Sequence, residues 1–361
     1  TESVATESGD TESVATESGD TESGDEIPDT ENVTFYKKSV KPDITVTELL
    51  HDHQENPLIL TKDNLILAET GIDMRDLGNE GDVNSDGKPY TAVNFANMKV
   101  GSAALSHGSV QEELLLMDFP EMLAIRQYAR QLDWRESWTT CNAIRYNKYE
   151  GYSNTVKFNR NYVTNVTKCS SRFVAIASAR FDTDSTVGPI KSMEKYNSQY
   201  TGASINIELM KAIGGFVGET EDDKTGAATG LENRLCTGAW GGGMFMSSIY
   251  LKFLIQFIAY KLVCPEGIFK YCLWDDEKSG IYNTKDKKIS LNNLIRNTIT
   301  AFHESRITIN DIYEALLSHN NKTAHDAGIH RDTYLFNQIH AAITVRKNRD
   351  ILTKPLPGPI D

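Results

Sequence analysis

Two adjacent glutamates, Glu112 and Glu113, follow a loop of small residues that begins at Gly101. The run before the loop, Thr91–Asn97, predicts a strand, and the run after it predicts a helix. Backbone N–H groups in such a loop can bind an anion, and the helix dipole favours it. Because both carboxylates fall in the first turn of the helix, the segment could combine anion binding with proton transfer in one site.

A second loop of small residues contains Gly241, Gly242 and Gly243. It follows a predicted strand, Leu235–Gly238, and precedes an apolar predicted helix, Ser247–Leu262. That helix is too short to span a bilayer comfortably, so the sequence predicts a buried helix and no membrane partner. A glycine-rich loop alone is a weak signal, but the second loop repeats the strand–loop–helix order of the first.

Strands and helices alternate along the chain from residue 91 onward. Further strands are predicted at Asn142–Tyr146, Phe173–Ala179 and Ile268–Trp274. Helices are predicted at Pro120–Leu132, Ile205–Ile213, Leu291–Phe302, Ile309–Leu317 and Asp332–Val345. Gly214 and Gly215 would end the second of these helices, and Asn310 and Asp332 would cap the last two. This alternation predicts a three-layer α/β domain that binds its ligand at the strand ends.

The net charge of −13 is concentrated at the N-terminus. The first 36 residues hold 11 acidic residues and no Lys or Arg, which leaves a net charge of −2 for the remainder. A nearly neutral body argues against nonspecific DNA binding or direct DNA readout. Residues 1–10 and 11–20 are the same polar decapeptide, which predicts a disordered acidic tail.

The five cysteines are an odd number without a CxxC pair, which argues against a zinc site and a disulfide framework. Buried reduced thiols in a cytoplasmic or nuclear protein are the expectation. The cysteines are Cys141, Cys169, Cys236, Cys264 and Cys272.

Five blocks in order resemble the poly(ADP-ribose) glycohydrolase family. The first joins Asn94-Phe-Ala-Asn97 and Gly101-Ser-Ala103 to Gln111-Glu-Glu113, similar to the family's three glycines, short spacer and Gln-Glu-Glu. The other four blocks are Tyr149-Glu-Gly-Tyr152, Phe173–Phe181, Glu208–Phe216 and Thr237–Phe245.

The resemblance implies a macrodomain-type fold with a mixed sheet flanked by helices. We predict a disordered acidic tail at residues 1–32, a short N-terminal extension at 33–88, the macrodomain at 89–347 and a C-terminal tail at 348–361.

The resemblance also implies hydrolysis of the ribose–ribose bonds of poly(ADP-ribose), without a metal or cofactor. It assigns the acid/base work to Glu113 and the orientation of the sugars to Glu112. ADP-ribosylated proteins would be the partners. The implied ligand contacts are Asn97, Gly101, Ser102 and Ala103 in the first loop, Gln111 near the adenosine, Tyr152 over the ligand, Gly241, Gly242 and Gly243 around the diphosphate, Phe245 beside the terminal ribose and Trp274 near the adenine.

Several positions depart from the family pattern. The second and third glycines of the first loop are Ser102 and Ala103, the expected Asp before Phe95 is Asn94, and the expected Asn before Trp240 is Ala239. A side chain in the loop could block the diphosphate or require a φ that only glycine adopts easily. Two readings follow: a working hydrolase with a relaxed loop, and a pseudoenzyme that serves as an ADP-ribose reader or a scaffold.

Overall fold

The structure is a computed structural model that describes residues 33–41, 43–51, 60–68, 74–77, 90–106, 108–162, 171–181, 194–217, 234–273, 281–283, 288–318 and 330–352. The acidic repeat, Cys169, Trp274 and most of the predicted C-terminal tail lie outside these residues.

Eleven strands are present in the described part of the chain. They are β1 (Thr34–Ser39), β2 (Leu65–Ala68), β3 (Thr91–Ala96), β4 (Glu136–Ala143), β5 (Tyr149–Glu150), β6 (Lys157–Phe158), β7 (Ser171–Ala177), β8 (Arg234–Thr237), β9 (Ile268–Cys272), β10 (Ile281–Asn283) and β11 (Lys288–Ser290). The pairs β5–β6 and β10–β11 form two small antiparallel sheets.

Seven strands form one mixed sheet in the order β1-β4-β7-β3-β8-β9-β2. Only β4 runs against the others, because it pairs antiparallel with both β1 and β7 while the remaining neighbours are parallel. The carboxyl ends of β7, β3 and β8 therefore meet at one edge of the sheet, where ligands bind in open α/β folds.

Helices cover both faces of the sheet. They are α1 (Val46–His51), α2 (Met74–Leu77), α3 (Gln111–Asp118), α4 (Ile125–Tyr128), α5 (Gly202–Phe216), α6 (Ile249–Val263), α7 (Leu291–His303), α8 (Ile309–Leu317) and α9 (Arg331–Leu352).

Side chains of one strand alternate between two cores, which defines the three layers. Val93 belongs to the large core formed with α5 to α9, whereas Ala92 packs with α3 residues such as Leu115 on the opposite face. The predicted three-layer α/β fold is therefore confirmed. None of the described helices is long and apolar enough to cross a bilayer.

The predicted end of the helix at Gly214 and Gly215 is wrong, because α5 continues to Phe216. A Cβ atom at residue 215 would lie 2.4 Å from Ile176 Cγ2 on β7, and one at 214 would lie 2.9 Å from the carbonyl oxygen of Arg135. The glycines therefore allow the helix to approach the sheet closely instead of ending it.

The predicted helix Pro120–Leu132 is also wrong in its second half. A 3-10 turn, Pro120–Ala124, leads into the short α4, which ends at Tyr128. The chain then leaves helical geometry, and Leu132 donates a 2.7 Å backbone hydrogen bond to Met98. This long-range bond holds the segment against the turn that follows β3.

Two other boundaries differ from the sequence prediction. The strand expected at Asn142–Tyr146 is β4, which begins at Glu136 and ends near a bulge at Asn142, where φ is 61°. The residue that caps α8 is Thr308, whose hydroxyl accepts a hydrogen bond from the Asp311 amide, and Asn310 lies within the helix. Asp332 also lies within its helix, α9.

Candidate active site

The two small-residue loops meet at the carboxyl edge of the sheet because β3 and β8 are parallel neighbours. Their ladder includes only Thr91 with Leu235 and Ala92 with Cys236. No further ladder pair joins the two strands among the described residues. The space between the first loop, residues 97–106 and 108–110, and the second loop, residues 238–248, is called the crevice below.

The side chain of Gln111 forms hydrogen bonds with the part of β3 that β8 does not pair with. Its Nε2 donates to the Val93 carbonyl at 3.1 Å, and its Oε1 accepts from the Phe95 amide at 2.8 Å. Both functions of the carboxamide are thus used to satisfy the backbone of β3. This contact fixes the start of α3 against the strand, and the predicted contact of Gln111 with the adenosine stays a prediction.

Both carboxylate oxygens of Glu112 accept hydrogen bonds from the first loop. They accept hydrogen bonds from the backbone amides of Asn97 at 3.0 Å and Gly101 at 2.8 Å, and the residue is only 2% exposed. Burial raises the pKa of Glu112 to about 7, the two backbone hydrogen bonds oppose the rise, and the charge of Glu113 adds to it. Glu112 is therefore a buried carboxyl that holds the loop and titrates near neutrality.

The carboxylate of Glu113 is buried, but only one of its two oxygens accepts a hydrogen bond from the described residues. Oε2 accepts a 3.0 Å hydrogen bond from the Val110 amide just before α3, and Oε1 has no hydrogen-bond partner among the described residues. A carboxylate can accept several hydrogen bonds, so Oε1 retains capacity for a ligand. Gly108 makes this position possible, because a Cβ atom there would lie 2.4 Å from Glu113 Cγ and 2.6 Å from its Cδ.

Tyr152 connects Glu113 with the second loop. Burial raises the pKa of Tyr152 to about 12, and the negative charge of Glu113 contributes to the rise. On the other side, a Cβ atom at residue 243 would lie 3.4 Å from the Tyr152 hydroxyl oxygen. The structure thus brings Glu113, Tyr152 and Gly243 close together, and the predicted contacts of Tyr152 and Gly243 with a ligand stay predictions.

Only the first of the three loop positions requires glycine. Gly101 has a φ of 69°, whereas neither Ser102 nor Ala103 has a positive φ. The side chains of Ser102 and Ala103 therefore impose no backbone strain. Ala103 instead faces Gly108, where a Cβ atom would lie 2.7 Å from the Ala103 methyl group, and Ser102 is exposed.

The second loop offers a row of unused backbone donors. The amides of Gly243, Met244 and Phe245 have no acceptor in the described part of the chain, although the neighbouring amides of Gly242 and Met246 donate within the loop. Successive free N–H groups form an anion-binding concavity. Gly241, with a φ of 72°, turns the chain here, and a Cβ atom on it would lie 2.2 Å from Ser178 Oγ.

Phe245 and Asn97 border the crevice from the two loops. The Phe245 carbonyl accepts a 2.8 Å hydrogen bond from the Phe181 amide, and the Arg180 guanidinium lies 5.5 Å from the centre of the Phe245 ring. Asn97 Oδ1 accepts from the Lys99 amide at 3.2 Å, and Asn97 Nδ2 has no partner among the described residues. Both side chains are half-buried, and their predicted contacts with a ligand stay predictions.

A buried ion cluster beneath the second loop was missed by the sequence analysis. Glu208 of α5 accepts hydrogen bonds from Lys211 Nζ at 2.7 Å, from the Ala179 amide and from Lys252 Nζ. Lys252, on α6, also donates to Ser178 Oγ at 2.8 Å. Because Ser178 contacts Gly241, the cluster supports the loop from below. In the sequence, Glu208 is only the first residue of one family block, and Lys252 is a charged residue within an apolar run.

The Trp240 ring covers this cluster. The ring is fully buried, and Lys252 Nζ lies 3.7 Å from its centre. Trp240 Nε1 donates to the Ile176 carbonyl at 3.1 Å. The loop is therefore anchored to β7 as well as to the two helices.

Asn94 is the least satisfied side chain near the site. It is fully buried on β3, and neither its Oδ1 nor its Nδ2 has a hydrogen-bond partner. Leaving such groups unpaired costs about 1–3 kcal/mol.

The described cysteines are free thiols, and Cys141, Cys236 and Cys272 are buried. The described residues include no group of three or more His, Cys, Asp and Glu side chains that could hold a metal ion.

The mixed sheet between layers of helices is the arrangement of a macrodomain-type fold, and the two loops follow β3 and β8 at the carboxyl edge of this sheet. A family model described as poly(ADP-ribose) glycohydrolase (PARG), macro domain fold, matches residues 69–279, which is more than half of the chain. The chain therefore belongs to the poly(ADP-ribose) glycohydrolase family.

Three curated relatives carry the family name. Poly(ADP-ribose) glycohydrolases 1 and 2 of Caenorhabditis elegans are each 29% identical, over 173 and 191 residues, which cover 47% and 52% of this chain. Poly(ADP-ribose) glycohydrolase 1 of Arabidopsis thaliana is 35% identical over 71 residues, or 20% of this chain. The matches cover only 21%, 37% and 13% of the three relatives, in the same order.

Proposed function

We propose that this protein is a poly(ADP-ribose) glycohydrolase that hydrolyses ribose–ribose O-glycosidic bonds and releases ADP-ribose. The observation that carries the proposal is the unequal use of the two glutamates. Both oxygens of Glu112 are bound by loop amides, whereas Oε1 of Glu113 is open to a ligand.

Glycoside hydrolysis requires a proton for the leaving oxygen, stabilisation of a cationic sugar and an activated water molecule. Glu113 is placed to supply the proton from Oε1 to the leaving ribose oxygen and then to accept a proton from the attacking water. Its Oε2 is held by the Val110 amide, so the carboxyl group keeps a fixed orientation during both transfers. The negative charge that remains after the first transfer stabilises the oxocarbenium-like sugar.

The diphosphate is proposed to bind the free amides of Gly243, Met244 and Phe245. These donors are close to Tyr152, whose hydroxyl lies near Gly243. Tyr152 is also close enough to Glu113 for the charge of that carboxylate to raise the Tyr152 pKa. A diphosphate on the second loop would therefore bring the adjoining ribose toward Glu113. Asn97, with its free Nδ2, is proposed to donate to a ribose hydroxyl from the first loop.

The test is release of ADP-ribose from labelled poly(ADP-ribose), measured for the wild type, Glu113→Gln and a matched control. Glu314→Gln is the control because Glu314 is exposed on α8, in the layer behind the sheet. We expect release by the wild type and the control, and a loss of at least about 100-fold in Glu113→Gln, as for other general acids. Equal release by wild type and Glu113→Gln would exclude the proposed role of Glu113.

A second function, ADP-ribose binding without turnover, is favoured by Asn94. The family pattern has an Asp at this position. The carboxamide of Asn94 is buried and has no hydrogen-bond partner. The reader function predicts calorimetric binding of ADP-ribose together with no release from the polymer. Asn94→Asp would then restore release, whereas an active wild type would eliminate the reader function.

A further inference from the structure

A basic and aromatic surface lies beside the first loop, outside the crevice. It is formed by Lys99, Arg126, Tyr128, Arg130 and Trp134, all of which are exposed, and is called the Arg126 surface below. We propose that the Arg126 surface binds a further stretch of the same poly(ADP-ribose) chain whose scissile bond lies in the crevice. The inference rests on the proposed function, because it names the polymer as the substrate.

The segment that carries this surface contacts the first loop at three places. The Arg126 side chain packs on the first loop, since a Cβ atom at Gly101 would lie 3.2 Å from Arg126 Cδ. The Leu132 amide donates to the Met98 carbonyl at 2.7 Å, and Gln131 Nε2 lies 3.8 Å from Met98 Sδ. Residues 126–132 therefore run along the loop whose Gly101 amide is bound by Glu112.

The charge of this surface fits a polyanion. The side chains of Arg126, Arg130 and Lys99 have no ion-pair or hydrogen-bond partner among the described residues. The sequence from 126 to 135 holds three arginines and one acidic residue, Asp133, although the chain beyond residue 36 carries a net charge of only −2. A local cluster of unpaired cations on a nearly neutral body indicates a partner with dense negative charge.

The aromatic residues point to a nucleotide polymer in particular. Tyr128 is 59% exposed and Trp134 is 38% exposed, with the Arg135 guanidinium 4.2 Å from the centre of the Trp134 ring. Exposed rings set among cations form stacking platforms for bases in flexible single strands. Each ADP-ribose unit carries both a diphosphate and an adenine, so one chain can use both features.

The local fold explains why this surface is exposed. Helix α4 ends at Tyr128, and the extended chain after it is held to the first loop by the hydrogen bond from Leu132 to Met98. Arg126 therefore lies on α4, and Arg130 and Trp134 lie on the irregular segment that follows it. In the proposal, the polymer passes Gly101 and reaches these residues.

The experiment measures binding by fluorescence anisotropy on the Glu113→Gln background, which prevents cleavage. Three labelled probes are compared: ADP-ribose, poly(ADP-ribose) chains of several units, and single-stranded RNA of matched length. The variants are Arg126→Gln/Arg130→Gln, Trp134→Ala and, as the matched control, Arg306→Gln/Arg349→Gln, which removes two exposed arginines from the helical layer behind the sheet.

We expect the polymer to bind at least about tenfold more tightly than ADP-ribose, and we expect the arginine double variant to lose most of this difference. The slope of log K against log salt concentration should be smaller in magnitude by about one or two in that variant. Trp134→Ala should weaken polymer binding about fivefold to tenfold. The Kd for ADP-ribose should be unchanged in every variant, and the control should behave like the parent.

The possible failures are distinct. If ADP-ribose binds but the polymer gains no affinity, or if the gain survives the arginine changes, the Arg126 surface is not a polymer site and the proposed function stands. If RNA binds as tightly as the polymer with the same arginine dependence, the surface recognises single-stranded nucleic acid instead and the inference is overturned. If neither ADP-ribose nor the polymer binds, the proposed function itself fails.

Discussion

The carboxylate of Glu112 accepts a 2.8 Å hydrogen bond from the backbone amide of Gly101, 11 residues earlier in the chain. This bond closes the first loop on the helix that follows it. The loop and the two glutamates therefore behave as one unit, and a change in the charge of Glu112 is expected to affect the whole unit.

The first prediction concerns the pH dependence of stability. The pKa of Glu112 is raised from 4.5 to about 7 in the folded protein, so the folded state holds its proton more tightly than the unfolded chain. As the pH rises from about 4.5 to about 7, this group lowers the free energy of unfolding by about 3 kcal/mol. Stability from this source is greatest in acid and is lost toward neutral pH.

Urea unfolding of the wild type and Glu112→Gln at several pH values measures this contribution. The free energy of unfolding should fall less with pH in Glu112→Gln than in the wild type across that interval, because the amide does not titrate. Glu314→Gln should keep the wild-type slope, since that residue is exposed. Identical slopes in wild type and Glu112→Gln would contradict the assignment.

The second prediction concerns Gly108. The Gly108→Ala substitution places a methyl group 2.4 Å from Glu113 Cγ and 2.7 Å from the Ala103 methyl group, so Glu113 must move. Overpacking of this kind costs about 1–3 kcal/mol of stability. We expect release of ADP-ribose to fall at least about tenfold because Glu113 loses its position.

Gly202→Ala is the matched control for Gly108→Ala. Its Cβ atom would meet Leu317 Cδ2 at 3.4 Å, an ordinary contact, at the start of α5. Turnover and stability should remain near wild type in this control. Full activity in Gly108→Ala would show that the position of Glu113 does not depend on the missing side chain.

The third prediction tests the first loop's departures from the family pattern. Because neither Ser102 nor Ala103 has a positive φ, replacing both with glycine relieves no strain and adds disorder to the unfolded chain. Ser102→Gly/Ala103→Gly should be less stable by about 1–2 kcal/mol, with turnover within about twofold of wild type. A sharp rise in turnover would instead identify these side chains as obstacles to the diphosphate.

The fourth prediction concerns the ion cluster beneath the second loop. The Lys252→Met substitution leaves Glu208 buried with one of its two cations missing. Breaking a buried ion pair from one side costs about 3–5 kcal/mol, which urea unfolding would detect. Adding Glu208→Gln to Lys252→Met should recover part of that loss, and a double variant less stable than the sum of both single changes would contradict the pairing.

The segment from β3 to α3 could be predicted closely from the sequence. Its strand, loop and helix follow from local hydrophobic pattern and small residues, and the structure places β3 at Thr91–Ala96 and α3 at Gln111–Asp118. The sequence predicted only that each loop follows a strand; the two loops lie at one edge because β3 and β8 are parallel neighbours.

Contacts between distant segments could not be predicted in the same way. Glu208 and Lys252 lie on different helices, so their pairing follows from the packing of α5 on α6 and not from any local pattern. The glycines of α5 look like a helix end until the approach of Ile176 is known. Strand β1 was missed because its sequence, Thr-Phe-Tyr-Lys-Lys-Ser, does not alternate between apolar and polar residues; its two lysines suit an edge strand but give no hydrophobic signal.

Both outer strands of the large sheet come from residues 33–88, because β1 pairs with β4 at one side and β2 pairs with β9 at the other. The ribosome therefore makes the two borders of the sheet before its interior. Leu65 must remain unpaired until Phe269 has been synthesised, about 200 residues later. Folding of this protein is thus expected to be completed only after most of the chain has emerged, and removal of the first 88 residues would leave β4 and β9 as open edges prone to aggregation.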